Sequence, residues 1–219
     1  MAYSNVGIAN LALGRIGVSK ISVLTEKSDQ SIAVNAVWEY IRDEVLSAKD
    51  WVFATRRVAL AQSVLEPIYN YSYAYALPTD FLRLAKQKKD DPSVYYAGSS
   101  SELSTMLEEV YQVNWSYVFE TLTDGNLYLL SNYDNTDYDI YIKYIRQVID
   151  PAKYSPSFIS AFAFRLAAEV SIPLTESLKK FESMLTLYNM ALQLADGLNQ
   201  SMNYEENETG TDDWDKAGR

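Results

Sequence analysis

RDEVLSAKDWVFATRR, residues 42–57, is the stretch whose reading decides the fold. Its first half continues an apolar repeat that predicts a helix ending near Lys49, with a turn at Lys49-Asp50. Trp51 and Phe53 then flank Val52, and Arg56, Arg57 and the apolar run Val58-Ala59-Leu60-Ala61 follow. Each large ring can bury roughly 150–250 Å². Two of them beside a helix end predict a junction that locks a helical part of the chain to a different kind of structure beyond it.

Upstream of the junction the period is helical. Ser4 is placed to cap a first helix in which Val6, Ala9, Leu13 and Ile16 recur at three- and four-residue spacing, and Gly17 is its expected end. Ser28 caps a second, with Asp29 at its positive end. Ala33, Val37, Ile41, Val45 and Ala48 form its stripe, and Trp38 and Tyr40 are expected to widen the apolar face.

Downstream the period becomes two. Tyr69, Tyr71, Tyr73, Tyr75 and Leu77 alternate with smaller or polar residues and read as a strand, which Pro78-Thr79-Asp80 breaks. A short strand is expected around Val94–Tyr96. Asp124-Gly125, between the apolar runs 115–122 and 127–130, is a hairpin signal. Ile140, Ile142 and Tyr144 mark a last strand. Thirteen of the 18 tyrosines lie between Tyr69 and Tyr144, as suits a sheet.

Helical spacing returns after Asp150-Pro151. Ser155-Pro156 opens a helix with the stripe Phe158, Phe162, Leu166, Val170, ended by Pro173. Thr175 is read as the cap of a final helix whose seam is Leu178, Phe181, Leu185, Tyr188, Leu192 and Ala195, stopping at Gly197. The expected architecture is α+β: a four-helix bundle formed by the N- and C-terminal helices, with an inserted antiparallel β-rich region. The expected segments are helices over 1–60, the β-rich insert over 61–148, helices over 149–200, and an acidic flexible tail over 201–219.

Composition narrows the chemistry. The chain has no cysteine and no histidine, which removes disulfides, thiolate metal sites, imidazole acid–base steps and the usual nucleophilic triads. Net charge is −10, a poor starting point for gripping a phosphate backbone. From residue 203 onward six acids face two bases. No apolar run reads as long enough to span a membrane, and the start of the chain lacks the pattern of a signal peptide.

Five stretches, in this order, resemble those of the tail tubular protein A or head-to-tail connector adaptor family of short-tailed phages. They are Asn10-Leu11-Ala12-Leu13-Gly14-Arg15-Ile16-Gly17; Arg42-Asp43-Glu44-Val45-Leu46; Asp50-Trp51-Val52-Phe53-Ala54-Thr55-Arg56-Arg57; Tyr73-Ala74-Tyr75-Ala76-Leu77-Pro78-Thr79-Asp80-Phe81-Leu82-Arg83; and residues 161–175. Residues 86–127 and the acidic tail depart from the pattern. The resemblance implies a non-enzymatic structural protein of the virion tail, assembled in the host cytoplasm and placed at the head–tail junction. Its subunits would form a homo-oligomeric ring, twelve being the expected number, between the portal protein and the tail nozzle protein. Genomic DNA would pass through the lumen without sequence-specific binding. No cofactor, metal or catalytic residue is implied, and no membrane.

Candidate interface residues follow from this. Arg56 and Arg57 are placed to bridge to a neighbouring subunit, or one of them to stack near Trp51. Tyr204, Glu205, Glu206, Asp212, Asp213 and Trp214 lie on the acidic tail, read as mobile, with folding against a basic portal surface as the second reading. The basic cluster Arg83, Lys86, Lys88 and Lys89 is read as an exposed loop that discourages strand pairing, ahead of a DNA contact. Asp43 and Glu44 are adjacent on a helix and point about 100° apart, so they read as a solvated or ion-paired helix face rather than a glycosidase pair. Asp134, Asp137 and Asp139 read as a polar turn, lacking the glycine and closing Glu of a calcium loop. The alternative function is a carbohydrate-binding or carboxylate-based glycan-hydrolysing module of the phage tail, whose tyrosines would have to be exposed in a cleft.

Overall fold

A computed structural model describes residues 3–86, 94–98, 116–135 and 138–202. The described residues form four α-helices and two antiparallel sheets, an α+β chain. Helix α1 (Asn5–Arg15) starts at Ser4, whose hydroxyl accepts from the Gly7 amide at 3.1 Å. It closes with Gly17 at φ 74°, while the Val18 amide donates back to Leu13 and that of Gly17 to Gly14. That paired return is the glycine-closed helix end expected where no Cβ obstructs a left-handed residue. Helix α2 (Asp29–Ala48) is capped by Ser28.

The face α2 buries is rotated slightly from the expected stripe. Val34, Trp38, Ile41, Val45 and Leu46 are buried, Ala33 and Val37 pack at the margin, and Tyr40 is 66% exposed instead of widening the apolar face. Tyr40 stands two positions beyond Trp38, about 200° around the helix, so both rings cannot enter the core together.

Strand formation begins at Thr55, earlier than the expected 61. β1 (Thr55–Ala59) pairs antiparallel with the long strand β7 (Tyr138–Arg146), Thr55 opposite Ile145. β3 (Phe81–Leu84) and β4 (Val94–Gly98) share the other edge of β7, β3 against its C-terminal end and β4 against its N-terminal end. A second sheet runs β2 (Tyr73–Ala76), β6 (Leu127–Ser131), β5 (Tyr117–Thr121). The hairpin between β5 and β6 turns at Gly125, φ 79°, as the Asp-Gly signal predicts.

Two expectations about the tyrosine run separate. Tyr73 and Tyr75 are on β2, but Tyr69 and Tyr71 are not on a strand. Asn70 adopts φ 64°, which breaks extended backbone. Residues 61–63 instead pair along the edge of β2, and Leu65 and Tyr71 pack on the outer face of the second sheet against Ala74, Tyr128 and Leu130.

Alternation along β7 joins the two halves. Ile140, Ile142 and Tyr144 face the second sheet and build a sandwich core with Leu60, Tyr75 and Leu129. Ile145 faces the other way and belongs to the helical core with Trp51, Phe158 and Phe162. A bulge between Phe81 and Arg83 lets Phe81 and Leu84, three residues apart, both enter the sandwich while Leu82 meets the helices.

Helix α3 (Pro156–Thr175) is the hub, in contact with α1, α2 and α4. Ser155 caps it and Pro156 fills its first turn, as expected. Pro173 does not end it. A proline forfeits the bond from its own nitrogen, yet the Glu176 amide still reaches Ile172 at 2.9 Å and the Thr175 hydroxyl reaches Ser171 at 2.7 Å. The chain then turns at Glu176 (φ 51°), and Ser177, not Thr175, accepts from the next helix, at the Lys180 amide. By length and mean hydropathy (1.4) α3 could cross a membrane, which the sequence reading did not anticipate; 56% of that segment is buried against the other elements, as in a core helix.

Helix α4 (Leu178–Met202) buries Tyr188 and Ala195, with Met184, Leu185, Ala191 and Leu192 beside them. Leu178, expected in that seam, stands at the first position of α4 and is 62% exposed. Gly197 does not stop the helix: a mid-helix glycine costs only about 1 kcal/mol, and the helix continues to Met202. Residues 203–219 lie outside the described residues.

Candidate functional site

The densest set of interactions lies where α2 ends and the sheet begins. Trp51 is fully buried, donates from its indole Nε1 to the Val45 carbonyl at 2.8 Å, and meets Phe158 edge-on at 5.2 Å. The carbonyl it satisfies is one of those a helix end leaves open. Phe53 meets the same Phe158 edge-on and lies tilted against Tyr154, so four rings tie the junction to the start of α3.

A polar layer surrounds these rings. Arg83 on β3 donates to Ser47 O at 2.6 Å and to Asp50 Oδ1 at 2.7 Å, closing the end of α2 from outside. The second Asp50 oxygen accepts the Lys86 amide at 2.9 Å. Arg42, 4% exposed, forks onto Asp43 at 2.8 and 3.1 Å, and Asp43 also accepts Gln147 Nε2 at 2.7 Å. Burial works against the Arg42 charge, but the hydrogen bond and charge of Asp43 outweigh it and hold its pKa above the ordinary value. Arg165 on α3 reaches Glu44 at 2.8 Å and Glu169 at 2.7 Å, and the same balance raises its pKa. Arg15 lies over the Phe164 ring at 3.5 Å and donates to Ser160 O at 3.0 Å; burial lowers its pKa.

This placement changes several readings. Arg83 is a structural clamp, so the basic cluster with Lys86 is not a free loop at that residue; Lys88 and Lys89 lie outside the described residues. Asp43 and Glu44 diverge as expected, toward Arg42 and Arg165 respectively. Asp137 lies outside the described residues, so the three-aspartate turn is seen only at Asp134, which accepts from Tyr73 at 3.5 Å, and at Asp139. Among the described residues no three acidic side chains converge as metal ligands would.

Arg56 and Arg57 do not form one patch. Both are exposed, but on adjacent positions of β1 they point to opposite faces. Arg56 stands opposite Tyr144, on the sandwich side, and Arg57 opposite Lys143, on the helix side. Trp51 is enclosed by Phe53 and Phe158. Tyr204, Glu205, Glu206, Asp212, Asp213 and Trp214 lie outside the described residues.

Three tyrosines of the sheets, Tyr75, Tyr128 and Tyr144, are structural. Tyr75 and Tyr144 are fully buried and Tyr128 nearly so. Each hydroxyl finds an acceptor: Tyr75 at Tyr133 O, Tyr144 at Asp80 Oδ1 (2.8 Å), Tyr128 at Asp124 Oδ2 (2.7 Å). Burial pushes Tyr75 and Tyr144 up to about 12, aided by Asp134 and Asp80 respectively. Rings so enclosed present no face to a sugar. The most exposed large apolar side chains among the described residues are Val64 (97%), Ile68 (86%) and Tyr69 (78%), and Val64 lines a recess of about 390 Å³ with residues that include Leu65, Glu66 and Tyr73.

Arg165 and Gln147 escaped the sequence reading. A signal existed for Arg165: a lone arginine inside the apolar run Phe162–Leu166 must either leave the core or find a carboxylate. Nothing in the sequence singled out Gln147. No protein-family model matches this chain, and no curated protein matches it.

Proposed function

We propose that this chain is a virion structural protein, a head-to-tail adaptor that forms a ring between portal and tail nozzle and continues the DNA channel. Its finer architecture is then a four-helix bundle, made from both ends of the chain, that carries the sheets as an inserted region. The observation that supports this reading is the convergence of the five stretches that carry the family resemblance. Arg15 meets Phe164; Glu44 meets Arg165; Asp50 meets Arg83. Residues matched for their order in sequence are thus among those that hold the helices and the sheet together, as a shared fold requires.

In this reading the chain has no catalytic step. Arg56, Arg57 and the acidic segment that contains Tyr204, Glu205, Glu206, Asp212, Asp213 and Trp214 are contact surfaces toward neighbouring subunits and the portal. The test is imaging of the purified chain mixed with its portal. A closed ring of this chain, twelve copies in the expected case, on one end of the portal is the expected result. A chain that neither binds portal nor is found in purified virions overturns the proposal.

A further inference from the structure

The first sheet is charged against the sign of the chain. Its described strands carry five basic side chains, Arg56, Arg57, Arg83, Lys143 and Arg146, against one acid, Asp139, in a chain whose net charge is −10. Arg83 is engaged by Asp50 and Ser47. The other four crowd one end of the β1–β7 ladder. Arg57 stands directly opposite Lys143, two residues from Ile145 and so on the face turned toward the helices. Arg57 is exposed and Lys143 half-buried. Like charges directly opposite each other destabilise a ladder, and a carboxylate laid across the pair offsets that repulsion. Helix α4 ends close by. Lys49, directly after α2, pairs with Asp196 on α4, and β1 starts six residues after Lys49, at Thr55. Six residues of α4 follow Asp196, about 9 Å of helix. From residue 203 onward the sequence holds six acids and two bases.

We infer that the acidic segment 203–219 folds back within its own chain and lays carboxylates over Arg57 and Lys143, on the helix-side face of the first sheet. Charge complementarity selects an acidic occupant, and the point where α4 ends selects this one. Extended backbone covers roughly 3.3–3.6 Å per residue, so the ten residues from Asn203 to Asp212 reach up to about 35 Å, twice the ~17 Å length of β1. A contact made within one chain is held at an effective concentration in the millimolar range. The same segment on a second copy lacks that advantage and has to approach against the repulsion of two chains of charge −10. The contact needs neither portal nor neighbouring subunit, so its failure leaves the adaptor reading untouched.

The experiment uses the full chain, dilute and at low salt. A carbodiimide joins a lysine amine to a touching carboxylate as an amide, itself taking up the water as a urea. Digestion and mass spectrometry should then find Lys143 linked to an acid between Glu205 and Asp215. An equal mixture of isotope-labelled and unlabelled protein should give links of uniform label, as a contact within one chain requires. The yield should fall about tenfold in about 1 M salt, where charges are screened within about 3 Å. Arg57→Glu should lower it as much, with an unchanged circular dichroism spectrum because Arg57 is exposed. Arg56→Glu makes the same charge change on the opposite face of β1 and should leave the yield within about twofold. No link from Lys143 to that segment, links of mixed label, links from Lys143 only to acids elsewhere in the chain, or equal losses in the two arginine variants would each overturn the inference.

Discussion

Arg83 and Asp50, 33 residues apart, form a 2.7 Å ion pair at the end of α2, and the same guanidinium holds the Ser47 carbonyl at 2.6 Å. One side chain therefore closes a helix and fastens it to a strand. Both partners are about a third exposed, which discounts the Coulomb part of the pair. The larger effect of Arg83→Ala is the helix carbonyl and carboxylate left without a donor. Together these should cost about 1–3 kcal/mol, read as a lower urea midpoint at unchanged slope. Arg83→Lys should recover little of it, because an ammonium cannot present the fork that reaches Ser47 and Asp50 together.

Trp51 should be the most costly single truncation at the junction. Trp51→Ala removes a fully buried ring and leaves the Val45 carbonyl without its indole donor. About 3–5 kcal/mol is expected from denaturant unfolding, near the whole stability of many domains. Trp51→Phe keeps the contact with Phe158 and loses the hydrogen bond, so it should lie between wild type and Trp51→Ala. Equal loss in both variants would show that the indole N–H, not the ring, dominates.

The fold should fail in alkali through its tyrosines. Burial pushes Tyr75, Tyr144, Tyr154 and Tyr188 up to about 12 from a usual 10. A phenol whose folded pKa lies above its unfolded value contributes stability that is whole below the unfolded pKa. That contribution is lost as pH rises through the folded pKa. The chain should therefore hold its stability up to about pH 10 and lose it between there and about 12. Tyrosinate absorbance is expected to rise in two stages, exposed rings first and the buried set only as circular dichroism collapses. A single smooth titration near 10 with the fold intact would contradict the assigned burial.

How far the sequence spoke for itself varies by element. Three of the four helix starts were legible because capping is local: Ser4, Ser28 and Ser155 each accept from an amide three residues on. The Asp124-Gly125 turn was legible for the same reason. Tyr69 and Tyr71 were misread because alternation alone cannot see that Asn70 turns the backbone left-handed. The role of Arg83 was invisible, since the charge looks like a loop residue until Asp50 is brought to it by tertiary structure. Glu44 and Arg165, 121 residues apart, show the same limit. Local chemistry writes turns and caps into a sequence, whereas a clamp is a relation between distant positions.

Two glycines three residues apart, one in α1 and one just past its end, should respond to alanine with opposite signs. Gly14 is an exposed helical position, and a Cβ there meets nothing within 4 Å. Gly14→Ala should stabilise by about 0.5–1 kcal/mol, because alanine loses less backbone freedom on folding. Gly17 also has open space around its Cβ position, but its φ of 74° is one an L side chain rarely adopts. Gly17→Ala should therefore destabilise by about 1 kcal/mol, and purely through backbone strain. Thermal midpoints of the two variants, measured side by side, separate the two causes, since space is free at both positions and only φ differs. If both variants shift the same way, the left-handed closure of α1 at Gly17 is not what holds that end, and the bond from Lys180 Nζ to Ile16 O at 2.7 Å would have to carry it.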